Sequence, residues 1–349
     1  MRRVTTILRQ LAPVFVLGAA LLSALPANAQ PLQMQPGSAL VFPLVDNRPG
    51  NGTMISVTNL LDDDRQCSGR GARKGDVLLS YVFVNGTTMQ SFERFEYLTP
   101  GDTLSVLADV LVPELEVGYL VVMAYDAADS ARAIQYDYLL GGAIIAQAGP
   151  NFMFSYTPYA FEGRPIRETS DPCNPIRTDI DNDGTPDFDG AEYSKFPREV
   201  VIESFIEERG IFGNTLTLLT TCAPDHTAEI RSVLRNNEGT RYYDIFEFSS
   251  WWTGSLSEVS NFASSLRGNE YELGYRDIET GWASFRGLRI VDSSGNPVRD
   301  RSGRSAIPPV LGVFTQFAND TAFSGGHALQ YHGSLDGLEL RGNRDRQRR

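Results

Sequence analysis

The sequence predicts an all-β protein, built as two tandem, related antiparallel β-sandwiches of the immunoglobulin-like type that are joined by an acidic loop. Short runs of β-branched and aromatic residues begin at Ala39 and are separated by Gly, Pro, Asn and Asp, which is typical of strands and turns. Runs with helical periodicity are nearly absent. The pattern of the first half returns in the second half, roughly 150 residues later, which favours two related domains.

The first predicted sandwich covers residues 37–162. Residues 76–84 and 88–98 form the two strands of a predicted hairpin around Asn85-Gly86, because Asn-Gly readily adopts the positive φ that a two-residue hairpin turn needs. Four further runs are predicted strands of the same domain: 54–59, 118–126, 133–147 and 151–161.

The second predicted sandwich covers residues 197–335, with strands at 214–221, 241–248, 282–291 and 310–317. Residues 199–208 fit a short helix or a strand, and 259–266 fit a helical turn or two. The run that begins at Val77 resembles the run that begins at Ala228, and in both halves a Gly-aromatic strand and a Gly-containing apolar strand follow. Duplication of one domain explains this order; a shared strand-and-turn composition is the alternative.

Composition limits the partners. The chain has 349 residues, with 31 Lys and Arg against 43 Asp and Glu, for a formal charge of −12. Hydrophobic residues make up 42% and charged residues 21%, which is too apolar for a disordered protein and leaves each of two domains enough apolar residues for a core. Nucleic acid and anionic membrane surfaces need a basic footprint, so the acidic balance argues against both as partners.

Residues 1–29 have the pattern of a secretory signal peptide. Arg2 and Arg3 precede an apolar run at 11–25, and Ala29 ends a small-x-small cleavage site. The run is shorter than the ~20 residues that span a bilayer, and no later run is long and apolar enough for a transmembrane anchor. The sequence therefore predicts an exported protein, periplasmic or extracellular, with a disordered Arg-rich tail at 336–349.

Three cysteines, Cys67, Cys173 and Cys222, lie in a chain that is predicted to enter an oxidising compartment. Three cysteines allow at most one intramolecular disulfide. Cys173 and Cys222 are the preferred pair, since both flank the start of the second predicted domain. The alternative is that none of them pair.

The linker at 163–196 contains the strongest chemical signal, an Asp-x-Asp-x-Asp-Gly run among six carboxylates, with no basic residue, over positions 179–192. Alternate residues of such a curled loop aim oxygens inward, and Ca²⁺ takes six to eight oxygens. The twelfth position of the loop, usually a bidentate Glu, is Gly190, so Asp189 or Glu192 has to replace it. A solvated acidic linker that binds no ion is the alternative. The predicted calcium ligands are Asp179, Asp181, Asp183, Thr185 through its backbone carbonyl, Asp187, Asp189 and Glu192.

Two resemblances accompany these motifs. The run Asp183-Gly-Thr-Pro-Asp187 resembles the solitary calcium loops of thrombospondin calcium repeats, which implies ion binding and not an activity. The runs at 42–60, 95–104 and 137–145 resemble a group of exported bacterial proteins of unknown function. That second resemblance is confined to the first half of the chain and implies no catalytic residues.

Catalytic motifs do not stand out: the sequence has no Gly-x-Ser-x-Gly elbow, no His-Glu-x-x-His and no phosphate-binding loop. A triad assembled from distant positions around His327 or His332 stays open. Trp251 and Trp252 are candidate ligand-binding residues, with Trp282 beside them, because exposed aromatic faces stack on sugar rings. Packing in a core or an interface is the alternative for these indoles.

The sequence thus predicts an exported, non-enzymatic binding or structural module of the cell envelope, in which Ca²⁺ stiffens the joint between two sandwiches. Its expected partner is a glycan or another cell-envelope component. The alternative is a secreted hydrolase or a carbohydrate-binding protein that uses loops of one sandwich. The residues leave the ligand and the oligomeric state open.

Overall fold

A computed structural model describes residues 35–61, 75–147, 152–163, 176–179, 186–206, 212–223, 225–236, 239–259, 280–300, 303–318 and 324–329. Strand and bridge residues make up 63% of them and helical residues 3%. Within these ranges no helix is long and apolar enough to cross a membrane. The predicted signal peptide at 1–29 and the predicted tail at 336–349 lie outside them, and the described residues from Pro36 onward belong to one compact unit.

The described residues of the first half form strands and one short helix, α1 (Ala108–Leu111). The strands are β1 (Ala39–Asp46), β2 (Asn51–Asn59), β3 (Val77–Asn85), β4 (Ser91–Leu98), β5 (Thr103–Leu107), β6 (Val117–Asp126), β7 (Asp129–Ala133), β8 (Leu139–Gln147), β9 (Phe152–Tyr156) and β10 (Tyr159–Phe161).

The described residues of the second half form strands and one 3-10 turn, Leu256–Glu258. Residues 199–208, which fitted either a helix or a strand, contribute a strand. The strands are β11 (Glu199–Ile206), β12 (Phe212–Leu219), β13 (Thr227–Asn236), β14 (Arg241–Phe248), β15 (Trp251–Gly254), β16 (Thr280–Val291), β17 (Leu311–Ala318) and β18 (Ser324–Ala328).

These strands pair antiparallel in four sheets. The first sheet has the order β10-β1-β6-β3-β4, with β7 paired to β6, and the second has the order β5-β2-β8-β9. The third sheet has the order β11-β16-β13-β14 and the fourth β15-β12-β17-β18. The order of strands along the chain is therefore the same in the first and third sheets, once β10 and β7 are set aside.

The four small sheets are arranged as a four-bladed β-propeller, so the prediction of two tandem immunoglobulin-like sandwiches is wrong. The alternation of apolar and polar residues specifies which side of a strand is buried. It contains no information on which sheets pack against one another. Several apolar side chains assigned to separate domains in fact connect the two halves of the chain.

Those connecting side chains belong to the first apolar core. This core comprises buried side chains of the first two sheets, together with Leu219, Trp251, Leu311 and Val313 from the second half. Phe152 of β9 stacks on Phe317 of β17 with ring centroids 5.1 Å apart. The halves are therefore joined by packed apolar surface. The second apolar core lies between the third and fourth sheets and includes Val200, Leu216, Ile230, Phe285 and Phe314.

The hairpin predicted around Asn85-Gly86 is confirmed as β3 paired with β4, but its turn differs from the expected one. The turn spans residues 86–90, the Asn85 side chain accepts hydrogen bonds from Thr87 and Thr88, and the positive φ falls at Met89. Gly86 serves another purpose: a Cβ there would lie 2.2 Å from the ring of Trp251. The glycine is needed for a close approach between the two halves.

Cys222 is a free, buried cysteine of the second apolar core, so the preferred Cys173–Cys222 disulfide is not formed. Burial raises the pKa of its thiol. Cys67 and Cys173 lie outside the described residues.

Candidate functional site

The outer side of the third sheet carries a cluster of arginine and aromatic side chains. In β13, Ala228, Ile230 and Leu234 are fully buried in the second apolar core. Successive side chains of a strand point to opposite sides, so Arg231 and Arg235 project away from that core. By the same alternation, β16 and β14 place residues beside them. We call this surface the arginine face; it consists of Arg231, Arg235, Arg241, Tyr243, Trp282 and Arg286.

The register of the third sheet sets these arginines directly against each other. Arg231 of β13 lies opposite Arg286 of β16, and Arg235 of β13 lies opposite Arg241 of β14. Like charges at directly opposed positions of an antiparallel pair repel each other and destabilise the sheet. Two such pairs on one face leave a concentrated positive charge on a protein whose formal charge is −12.

Aromatic rings lie between the guanidinium groups. The Arg235 guanidinium carbon is 5.8 Å from the centroid of the Trp282 ring, and that of Arg241 is 5.0 Å from the centroid of Tyr243. Tyr243 is 65% exposed. Cation–π contacts of this kind hold arginine side chains over the rings and keep their outer N–H groups available to a ligand.

Only part of the charge on this side of the sheet is compensated. Arg289 of β16 forms an ion pair of 2.7 Å with Glu229 of β13, next to the arginine face. Among the described residues, the four arginines of the face form no ion pair, although Glu199 lies opposite Arg286 in the register. The Nε–H groups of Arg231 and Arg235 are buried and donate to no acceptor within the described part of the chain.

The predicted calcium ligands are only partly placed by the structure. Asp181, Asp183 and Thr185 lie outside the described residues. Asp179 forms an ion pair of 2.6 Å with Arg177, and the Asp189 carboxylate accepts a hydrogen bond from the Ala191 N–H. Within the described ranges, no group of three or more His, Cys, Asp or Glu side chains is arranged to hold a metal ion.

Two of the predicted ligands are brought together. Glu192 is 2% exposed, and its carboxylate accepts a hydrogen bond of 2.9 Å from the Asp187 N–H. The Tyr193 N–H then donates to the Asp187 carbonyl. The chain from 187 to 193 is thereby curled back on itself.

An aromatic stack fixes this segment to the first half. Phe188 stacks on Phe196 with centroids 4.5 Å apart and on Tyr193 at 5.0 Å, and its edge contacts Phe161 of β10 at 5.1 Å. Tyr193 is fully buried and its hydroxyl shares a hydrogen bond of 3.1 Å with Thr178; burial raises the pKa of that hydroxyl. The C-terminal end of the acidic segment is thus docked on the first sheet.

The two candidate ligand-binding tryptophans have different surroundings. Trp251 is 8% exposed, and its indole N–H donates a hydrogen bond of 2.9 Å to the Pro43 carbonyl in the first half. Trp252 is half-buried and meets the Phe246 ring edge-on at 5.6 Å. Both indoles are engaged in packing, and Trp282 is the tryptophan that lies on the arginine face. Of the two histidines considered for a triad, His327 lies in β18 and His332 lies outside the described residues.

The sequence matches no protein-family model and no curated protein.

Sequence reasoning missed the arginine face. The available signal was the spacing of Arg231 and Arg235, which four residues apart on a strand must share a side. The sequence does not predict that Arg286 and Arg241 lie opposite these two residues, because that depends on which strands are neighbours and on their register.

Proposed function

We propose that the protein is an exported, non-enzymatic binding module of the cell envelope whose arginine face binds an acidic glycan. The supporting observation is the pair of directly opposed arginine pairs, Arg231–Arg286 and Arg235–Arg241, beside Trp282 and Tyr243. An anion placed between two opposed guanidinium groups removes their repulsion. Relief of this repulsion therefore adds to the free energy of binding the anion.

A glycan with carboxylate or sulfate groups suits both parts of this surface. Guanidinium groups bind such anions through paired N–H donors, which gives these contacts a defined geometry. The apolar faces of sugar rings stack on exposed aromatic rings, and Tyr243 is the most exposed ring of the face. Since the whole chain is acidic, attraction of an anionic glycan is confined to this patch.

Binding of the mature protein to immobilised acidic polysaccharide tests this function. We expect binding that weakens as salt rises, and a loss of at least about tenfold in affinity for Arg231→Ser combined with Arg286→Ser, since charge-assisted hydrogen bonds are lost at both positions. Arg304→Ser, at an exposed turn away from the face, is the matched control and should bind like the parent. Equal binding by all three proteins, or equal binding to neutral polysaccharide, would exclude the proposed site.

A second part of the proposal concerns Ca²⁺ in the acidic segment. Asp181, Asp183, Asp187 and the Thr185 carbonyl would supply oxygens, with Glu192 as the closing carboxylate, and the ion would offset the repulsion among them. The curled Asp187–Glu192 contact and the docking of Phe188 support this. Titration calorimetry with Ca²⁺ should show a dissociation constant on the order of 10⁻⁴–10⁻³ M. Asp181→Ala and Asp183→Ala should abolish the heat; no heat and no rise in melting temperature for the parent protein would refute it.

A further inference from the structure

We infer that a second copy of this chain pairs with β14, edge to edge and antiparallel, to form a symmetric dimer. β14 is the last strand of the third sheet, and among the described residues no strand pairs with its other side. An edge strand with unpaired backbone groups is a template for another strand. On β14, the residues at this edge are also exposed: Tyr243 is 65% and Ile245 is 53% exposed.

The hairpin between β13 and β14 decides which backbone groups face the free edge. The Asn236 N–H donates to the Thr240 carbonyl, so residue 240 points its backbone groups toward β13. Antiparallel pairing alternates, and even-numbered residues of β14 therefore bond to β13. The N–H and C=O groups of Arg241, Tyr243, Ile245 and Glu247 point toward the free edge.

The side chains of those four residues are complementary to the same four residues of a second copy. When Asp244 lies opposite Asp244 of the second copy, Arg241 lies opposite Glu247 of that copy and Tyr243 lies opposite Ile245. Both pairs occur twice by symmetry, which gives two opposite-charge pairs and two aromatic–aliphatic pairs, the combinations that stabilise antiparallel strands. A register shifted by two residues sets Arg241 against Ile245 or leaves it unpaired. Charge complementarity thus selects one occupant, a second β14, and one register.

The corresponding edge strand of the first sheet lacks this pattern. β4 is also the last strand of its sheet, and its outward residues are Ser91, Glu93, Phe95 and Tyr97. The same symmetric register would set Glu93 against Phe95 and Ser91 against Tyr97, so it forms no pair of opposite charges. In addition, the Arg94 side chain donates to the Leu111 carbonyl within the chain. β4 therefore serves as an internal control.

Asp244 limits the strength of the dimer. Its carboxylate accepts a hydrogen bond of 2.8 Å from the Ile245 N–H, one of the donors that the second copy would use. Pairing replaces this bond and brings two Asp244 residues together at the symmetry axis. Two strands of this length also bury an area at the low end for protein–protein contacts. The association is accordingly weak and depends on concentration, and it joins two arginine faces on one side of a continuous sheet.

Sedimentation equilibrium of the mature protein, from about 1 µM to about 1 mM, tests this pairing without any ligand. Arg241→Glu and Glu247→Arg should each weaken dimerisation about tenfold, because each sets like charges opposite one another twice. The double variant exchanges the two charges and should restore dimerisation to the level of the parent. Glu93→Arg on β4 should leave it unchanged. A monomer throughout the range, single variants that dimerise like the parent, or a double variant without recovery would each overturn the inference.

Disulfide trapping tests the register. Residues opposite each other at a non-hydrogen-bonded position have Cα atoms within reach of a disulfide. Asp244→Cys should therefore give a covalent dimer under mild oxidation, whereas Tyr242→Cys, which faces position 246 of the second copy, should not. A thermal melt of each variant confirms that it is folded. Equal trapping of both variants would contradict the register. Because glycan binding is tested at Arg231 and Arg286, failure of the dimer and failure of the glycan site are distinguishable.

Discussion

The first and third sheets have the same order of strands and equivalent registers, yet their outer sides carry opposite chemistry. Where the third sheet sets Arg231 opposite Arg286, the first sets Ser80 opposite Met123. Where the third sets Arg235 opposite Trp282, the first sets Val84 opposite Tyr119. At these positions the first sheet is uncharged and buried, with Met123 5% and Val84 8% exposed, whereas its edge strand β4 exposes Glu93 and Phe95 on the same side.

This difference separates a sheet that packs against the other half of the chain from one that exposes charge. The first sheet contributes to the contact between the halves, where the Tyr159 hydroxyl of β10 donates to the Leu329 carbonyl and accepts from the Gly312 N–H. The third sheet keeps arginines and aromatic rings at its surface, although opposed arginines cost stability. Such a cost is expected at a surface that binds a partner, and not at one that only packs.

Exchanging corresponding residues gives the largest expected effect. Met123→Arg places a charge in a position that is 5% exposed, and we expect it to lower the free energy of unfolding by about 3 kcal/mol or more. Arg286→Met, the reverse exchange on the third sheet, removes an opposed like charge and should raise that free energy by up to about 1 kcal/mol. Urea denaturation measures both. Similar losses in the two variants would mean that the two sides do not differ.

The tryptophans extend the comparison with an effect of similar size. Trp251→Ala removes a buried indole and its hydrogen bond to Pro43, and should cost about 3–4 kcal/mol. Trp282→Ala on the arginine face should cost about 1 kcal/mol, because it removes the cation–π contact with Arg235. The melting temperatures of the two variants provide the measurement. A larger loss for Trp282 would place it in the core of the protein and remove it from the proposed site.

A pH-dependent difference is expected at the ends of β1 and β11. Burial acts to raise the pKa of Asp46, but hydrogen bonds from Arg48 and Asn51 outweigh it and hold that pKa below its ordinary value. A lowered pKa in the folded state stabilises the fold above the unfolded value of about 3.9, and this contribution is lost as pH falls through the folded value. Asp46→Asn should cost about 2 kcal/mol at pH 7 and progressively less in acid.

The corresponding position on β11 is Ile206, which has no charge to titrate. Ile206→Val should cost about 1 kcal/mol at every pH. Urea denaturation at neutral pH and at about pH 2.5, below the ordinary carboxyl pKa, compares the two variants. A pH-independent loss for Asp46→Asn would show that the carboxylate does not stabilise the fold through its charge.

The sequence predicted local features well and long-range ones poorly. The strands at 76–84 and 241–248 follow from alternation and turn residues, which are local properties. The arrangement of the sheets depends on Tyr159 and Trp251 reaching across the chain, and residues of this kind look like ordinary core residues in a sequence. The arginine face brings together Arg231 and Arg286, which are 55 residues apart in the chain, and no local sequence pattern specifies that pairing.

The acidic segment shows the opposite case. Its spacing of carboxylates was evident in the sequence, whereas the docking of Phe188 against Phe161 and Phe196 was not, because an aromatic stack among separate segments has no periodicity. The predicted ligands Asp187 and Glu192 are brought together, and Asp179 is paired with Arg177.

Titration calorimetry with one acidic oligosaccharide and its carboxyl-reduced, neutral counterpart measures the role of the arginine face most directly. If opposed arginines are neutralised by ligand carboxylates, the acidic form binds, the neutral form binds at least about tenfold more weakly, and Arg231→Ser with Arg286→Ser abolishes the difference. Equal affinity for the two oligosaccharides, or an undiminished preference in the double variant, would contradict binding through these arginines.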